Sequence, residues 1–154
     1  MILPIRLYSD PIISQVCQPV TEFNTPELET LIQDMIQTMQ ANRGVGLAAS
    51  QVGVDKQIAI LYIENRTKIL TIVNPRILSC SKEKEKSKEG CLSAPGTTIS
   101  VKRPKEVEVE AQNLMGEKVQ YNFTGFDARV FLHELDHLQG KCIAHLVNSY
   151  VPLV

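Results

Sequence analysis

Drawn as a helix, the stretch from Phe126 to Leu138 is apolar nearly all the way round: Phe126, Val130, Phe131, Leu132, Leu135 and Leu138 cover much of its circumference. Such a helix is stable only if the rest of the chain covers it, so this feature predicts a buried helix near the C-terminal end. It should begin near Thr124, carry Asp127 in its first turn, and run to about Gln139 before Gly140 stops it. The same helix carries His133, Glu134 and His137 as His-Glu-Leu-Asp-His, which takes two of the three histidines in the chain. Four residues apart, the imidazoles stack on one face and can reach one metal ion, with Glu134 beside them as a base. Metal-bound water has its pKa lowered toward ~7, so hydrolysis at neutral pH is physically reasonable at such a site. The bland alternative is a surface helix whose polar residues fall at this spacing by chance.

A second helix is signalled by Thr25-Pro26-Glu27, with a capping hydroxyl, a proline at the first helical position and an acid near the positive dipole end. Leu28, Leu31, Ile32, Met35, Ile36 and Met39 follow at helical spacing, which marks a core-packing amphipathic helix fraying near Asn42. Gln57–Ile63, Leu70–Val73, Glu106–Gln112 and Lys118–Phe123 read as strands, the last two forming an antiparallel hairpin around Gly116. Lys82–Glu89, with lysine and glutamate interleaved, reads as a solvated loop or strand edge. The expected class is α+β: antiparallel sheets around the buried helix carrying the histidines, plus the N-terminal amphipathic helix, in one domain spanning residues 1–154.

At 154 residues the chain can bury about two-thirds of its unfolded surface, enough for a core without staples. A net charge of −1 with 44% apolar residues excludes a disordered chain and gives no reason to expect direct nucleic-acid binding. There is no export signal or transit peptide, and no apolar run near the ~20 residues of a membrane span, so a cytoplasmic location is expected. Cys17, Cys80, Cys91 and Cys142 form no CxxC pair, which argues for reduced thiols.

Two imidazoles leave a catalytic metal one protein ligand short. After His137 the sequence offers only His145, eight residues on and past Gly140; the better candidate is Cys91 in Glu89-Gly90-Cys91-Leu92-Ser93. There Gly90 permits an unusual backbone turn and Pro95-Gly96 closes the loop, although a small buried core thiol fits the same residues. Gly44-Val45-Gly46-Leu47-Ala48-Ala49-Ser50-Gln51 combines small residues with a terminal amide. It suits close backbone approach or a tight helix-to-strand connection, and it lacks the lysine of a phosphate-binding loop.

Together and in this order, Gly44–Gln51, Glu89–Ser93 and His133–His137 resemble the peptide deformylase family, marked by GxGxAAxQ, EGCxS and an HExxDH-type helix. The likeness extends to Ile72-Val73-Asn74-Pro75 and spans essentially the whole chain. It implies metal-dependent hydrolysis of the N-formyl group from N-formylmethionyl peptides of nascent proteins. Under it Cys91, His133 and His137 would hold the metal, Glu134 would be the catalytic acid/base, and Gln51 with the Leu92 backbone N–H would stabilise the oxyanion. Backbone near Gly46 and Gly90 would bind the peptide in extended form, and Val45, Phe126 and Val130 would wall an apolar methionine pocket. Ferrous iron is the physiological ion the resemblance implies, with zinc suited to the same geometry. Ser50, Leu132 and His145 depart from the family pattern. Ending at Val154, the sequence is expected to carry the catalytic core without the C-terminal helix or tail of many members. The rival enzyme is an HExxH zinc peptidase with a later third ligand; the rival non-enzyme is a closed structural metal module.

Overall fold

The Thr25 hydroxyl accepts a hydrogen bond from the Leu28 amide at 3.1 Å and starts helix α1 (Pro26–Ala41), with Asn42 as its C-cap. In this computed structural model, which describes residues 1–150 and side chains through residue 146, seven strands follow. They are β1 (Gly46–Ala48), β2 (Ile58–Ile63), β3 (Lys68–Cys80), β4 (Lys84–Cys91), β5 (Ala94–Pro104), β6 (Glu106–Gln112) and β7 (Lys118–Thr124). Helices α2 (Gly125–Leu138) and α3 (Ile143–Tyr150) come last. The end of the chain at Val154 lies outside the described residues.

All strand pairings are antiparallel, in a five-stranded sheet of order β1-β2-β3-β6-β7 and a two-stranded sheet of β4 and β5. Period-2 alternation along β2 explains how the larger sheet is covered. Ile58 and Ile60 face the cluster of Leu28, Ile32, Met35 and Met39 from α1. Leu61 and Ile63 join Ile72, Val107, Val109 and Phe123 against Ala128, Val130, Phe131, Leu132 and Leu135 of α2. One sheet therefore separates two helices, and α2 is buried as its composition demands. Each fully buried Leu, Ile or Phe here contributes roughly 1.5–3 kcal/mol relative to exposure. The exception on α2 is Phe126, 60% exposed at its first turn.

Several sequence expectations are corrected. Of the two readings of Lys82–Glu89, the solvated strand holds and the loop does not: residues 84–91 form β4, paired with β5 and exposed from Lys84 to Lys88, and the departure is Glu89, which is buried. Gly90 adopts no left-handed turn. It pairs with Thr98 in the ladder, a register shift falls between Gly90 and Cys91, and Gly96, among the β5 residues opposite that shift, takes a positive φ of +79°. Leu70–Val73 is part of a much longer strand, irregular at Asn74-Pro75, where the Asn74 amide ties β3 to Val20 and Gln112. Helix α3 was not anticipated, since no cap or breaker after Gly140 announces it. The four cysteines are all free thiols, and none of the described helices is long and apolar enough to cross a membrane.

Candidate active site

Helical spacing places His133 and His137 one turn apart on α2, with ring centroids 5.0 Å apart. The register shift at the end of β4 brings Cys91 to them: its Sγ lies 3.2 Å from His137 Nε2, and one ligand atom from each of the three residues lies within 4.8 Å of the others. Among the described residues this is the group with metal-binding geometry, and His145 is not part of it. A thiol with two imidazoles is a donor set for a borderline-soft divalent cation, and three protein ligands leave a position for water or substrate.

The second layer orients these donors. The His133 Nδ1–H donates to Glu89 Oε1 at 2.9 Å, so its Nε2 is the nitrogen left to face the thiol. Glu89 in turn accepts from Arg103 Nε and Nη2 at 2.6 and 2.9 Å and from Arg129 Nη1 at 2.6 Å. Burial raises the Glu89 pKa, but hydrogen bonds from Arg103 and His133 outweigh it and hold the group at about 2. Burial likewise pushes His133 down, and Glu89 reverses this and raises it. His137 has no such partner; burial drives it well below the ordinary imidazole value, and its Nδ1 makes no hydrogen bond. The Cys91 thiol is held above its usual value by a hydrogen bond with Cys142, by burial and by the charge of Glu134. A cation at the three donors would reverse that by stabilising the thiolate.

Glu134 is 2% exposed and its Oε1 has no hydrogen-bond partner, an orphaned oxygen beside the histidine pair. Burial raises its pKa to about 7. Gly46 is the close neighbour that makes room for it: a Cβ there would stand 2.6 Å from Glu134 Oε2. An added Cβ in the Gly44–Gly46 segment, which connects α1 to β1, would meet side chains, Leu92 at Gly44 and Glu134 at Gly46. Gln51 lies in the single-turn helix that follows β1 (residues 49–52), 1% exposed. Its Oε1 accepts from the Ala48 amide at 3.0 Å, while its Nε2 donates to Ser93 Oγ at 3.0 Å and points at Cys91 Sγ, 3.7 Å away.

A cavity of about 440 Å³ opens over these groups. Val45, Gly46, Gln51, Gly90, Cys91, Leu92, Phe126, Val130, His133 and Glu134 all line it, so every residue singled out for the site except the fully buried His137 reaches this one space. Arg103 and Arg129 were missed. Arg129 stands four residues before His133 and so shares its helix face, a legible signal; Arg103 and Cys142 arrive by tertiary contact alone. Of the positions departing from the family pattern, Ser50 and Leu132 are buried and His145 is half-buried.

Comparisons with known proteins agree in one direction. The family model described as polypeptide deformylase matches residues 2–151. A peptide deformylase of Thermotoga neapolitana is 41% identical over 139 residues, which cover 90% of this chain and 83% of the relative. The crystal structure of peptide deformylase from Thermotoga maritima superposes with a TM-score of 0.90 at 38% identity, covering 94% of this chain and 97% of that one. A class I type b peptide deformylase from Acinetobacter baumannii, solved with Met-Ala-Ser bound, gives 0.90 at 34% identity, covering 94% of this chain and 99% of that one. With a family model matched over nearly its whole length and relatives this similar, the chain belongs to the polypeptide deformylase family, whose members are metal-dependent hydrolases.

Proposed function

We propose that this chain removes the N-formyl group from N-formylmethionyl peptides, including nascent chains in the cytoplasm, and releases formate and a free amino terminus. Residues 1–154 act as one catalytic domain in this reading. The observation that carries it is the convergence of Cys91, His133 and His137 on one point beneath the cavity with Glu134 alongside.

Cys91, His133 and His137 hold the cation, ferrous iron as the physiological ion with zinc or another divalent transition metal able to substitute. When bound, it acidifies water and polarises the formyl carbonyl. Glu134 takes the proton from the attacking water and delivers it to the departing amine. Gln51 Nε2 and the Leu92 amide donate to the formyl oxygen as negative charge gathers there, an interaction strongest in the transition state. The methionine side chain lies against Val45, Val130 and Phe126. β1 is an edge strand and β4 pairs only with β5, so backbone at Gly46 and Gly90 is placed to receive the peptide as an added strand.

The zinc-peptidase reading needs a later third ligand, and the described residues bring only Cys91 to the two histidines. A closed structural site needs a fourth protein ligand. The test is formate release from formyl-Met-Ala-Ser by the iron-loaded protein: turnover lost in Cys91→Ala together with bound metal is expected. Metal retained in that variant, or no formate from the loaded wild type, overturns the reading.

A further inference from the structure

We propose that Arg43, Arg66 and Lys88, at the mouth of the cavity, select formylated peptides that carry acidic side chains downstream of methionine. The inference rests on the reading above, because it concerns the part of the peptide that leaves the reacting centre. Each of the three lines the cavity and is exposed, and among the described residues none takes part in an ion pair. They come from separate elements: Arg43 from the turn after α1, with φ +57°, Arg66 from the turn between β2 and β3, with φ +64°, and Lys88 from β4. The Arg66 turn is fixed to the first turn of α2, since the Glu64 amide donates to the Asp127 carboxylate at 3.2 Å.

No exposed acid lines the cavity beside them, and the nearest in the chain, Glu64 and Asp127, stand together at the base of the Arg66 turn with the Asp127 carboxylate already accepting from the Glu64 amide. The acidic residues lining the cavity, Glu89 and Glu134, are both buried, and Glu89 is already matched by Arg103 and Arg129. The whole chain carries a net charge of only −1, so this excess of positive charge is local and not a reflection of composition. With the formyl carbon at Glu134 and the methionine side chain against Val130 and Phe126, the remaining residues pass through the mouth. An Asp or Glu there meets three cations; a Lys or Arg meets like charge. A concave site lined by one sign of charge raises the local concentration of oppositely charged substrate and loses that effect in salt.

The experiment compares formyl-Met-Ala-Asp amide with formyl-Met-Ala-Lys amide, both amidated to remove the terminal carboxylate, on the iron-loaded protein. At low ionic strength kcat/KM should favour the acidic peptide by about tenfold, chiefly through KM, and the ratio should fall toward one near 0.5 M salt, where the screening length is only a few ångströms. In Arg43→Glu/Arg66→Glu/Lys88→Glu the preference should invert. Calorimetric Kd values for the product peptides Met-Ala-Asp amide and Met-Ala-Lys amide should follow the same order without turnover. Equal values for the two peptides in the wild type, or an acid preference that survives in the triple variant, overturn the proposal. Cleavage of neutral formyl-Met-Ala-Ser amide by the wild type monitors the underlying reading separately; if it fails, the calorimetric comparison still decides the role of the rim.

Discussion

Glu89 Oε1 stands 2.9 Å from His133 Nδ1, and the same carboxylate is gripped by two guanidinium groups, Arg103 and Arg129. One buried acid thereby sets the tautomer and ring orientation of a proposed metal ligand while neutralising cations from β5 and α2. Position and charge are both consequences of where β4 runs, ending at the proposed ligand Cys91 beside the helix that carries the histidines.

Glu89→Gln should weaken metal binding by 10- to 100-fold, on the order found when outer-sphere partners of metal-binding histidines are removed. It also leaves the buried Arg129 without its counter-charge and Arg103 with Asp136 alone, with a stability loss on the order of 3–5 kcal/mol. Competition with a chromogenic chelator and denaturant unfolding measure the two effects; wild-type affinity in the variant would contradict the orienting role.

Gly46→Ala should lower kcat on the order of a hundredfold while the metal stays bound. The new methyl would sit 2.6 Å from Glu134 Oε2 and must push the carboxylate aside, and a displacement near 1 Å costs about that much when it moves a proton-transfer group. Metal analysis alongside steady-state kinetics separates this from loss of the site.

Glu134→Ala should keep its metal and lose turnover by roughly 10²–10⁴-fold or more if, as proposed, the carboxylate acts in the chemical step without being a ligand. Full activity in that variant would refute the assignment.

The pH dependence of stability carries the mark of the same group. In the metal-free protein burial raises Glu134 from 4.5 to about 7, so between those values the folded state binds a proton that the unfolded state has released. Stability from this group is therefore present below pH 4.5 and falls as pH rises through 7. Metal-free Glu134→Gln should exceed the wild type in stability above pH 7, with the gap closing toward pH 4.5. A difference that grows toward acid pH would reverse the sign and rule this out.

Gln51→Ala should reduce kcat by about 10²–10³-fold, the range for losing one oxyanion donor, with KM changing less. Its Oε1 also holds the Ala48 amide, so a small loss of stability should accompany it.

Local pattern made much of this protein readable before any tertiary contact was known. Thr25-Pro26 and the 3.6-residue stripe of Leu28 to Met39 dictate α1, Glu106–Gln112 alternates because one face is wet, and the histidine spacing fixes the ligand pair on α2. Those features follow from interactions within a few residues. What chain-local reasoning did not decide is how distant segments meet. The lysine- and glutamate-rich run became β4 because β5 supplies its hydrogen bonds, Gly46 is small because Glu134 from α2 fills the space beside it, and Cys142 reaches Cys91 from 51 residues away. The sequence alone determined which groups could bind a metal and move a proton. Only the packing of β4 against α2 decided that Cys91, rather than a later residue, joins His133 and His137, because a contact between separate segments is set by the global arrangement of sheets and helices and leaves no periodicity in either one.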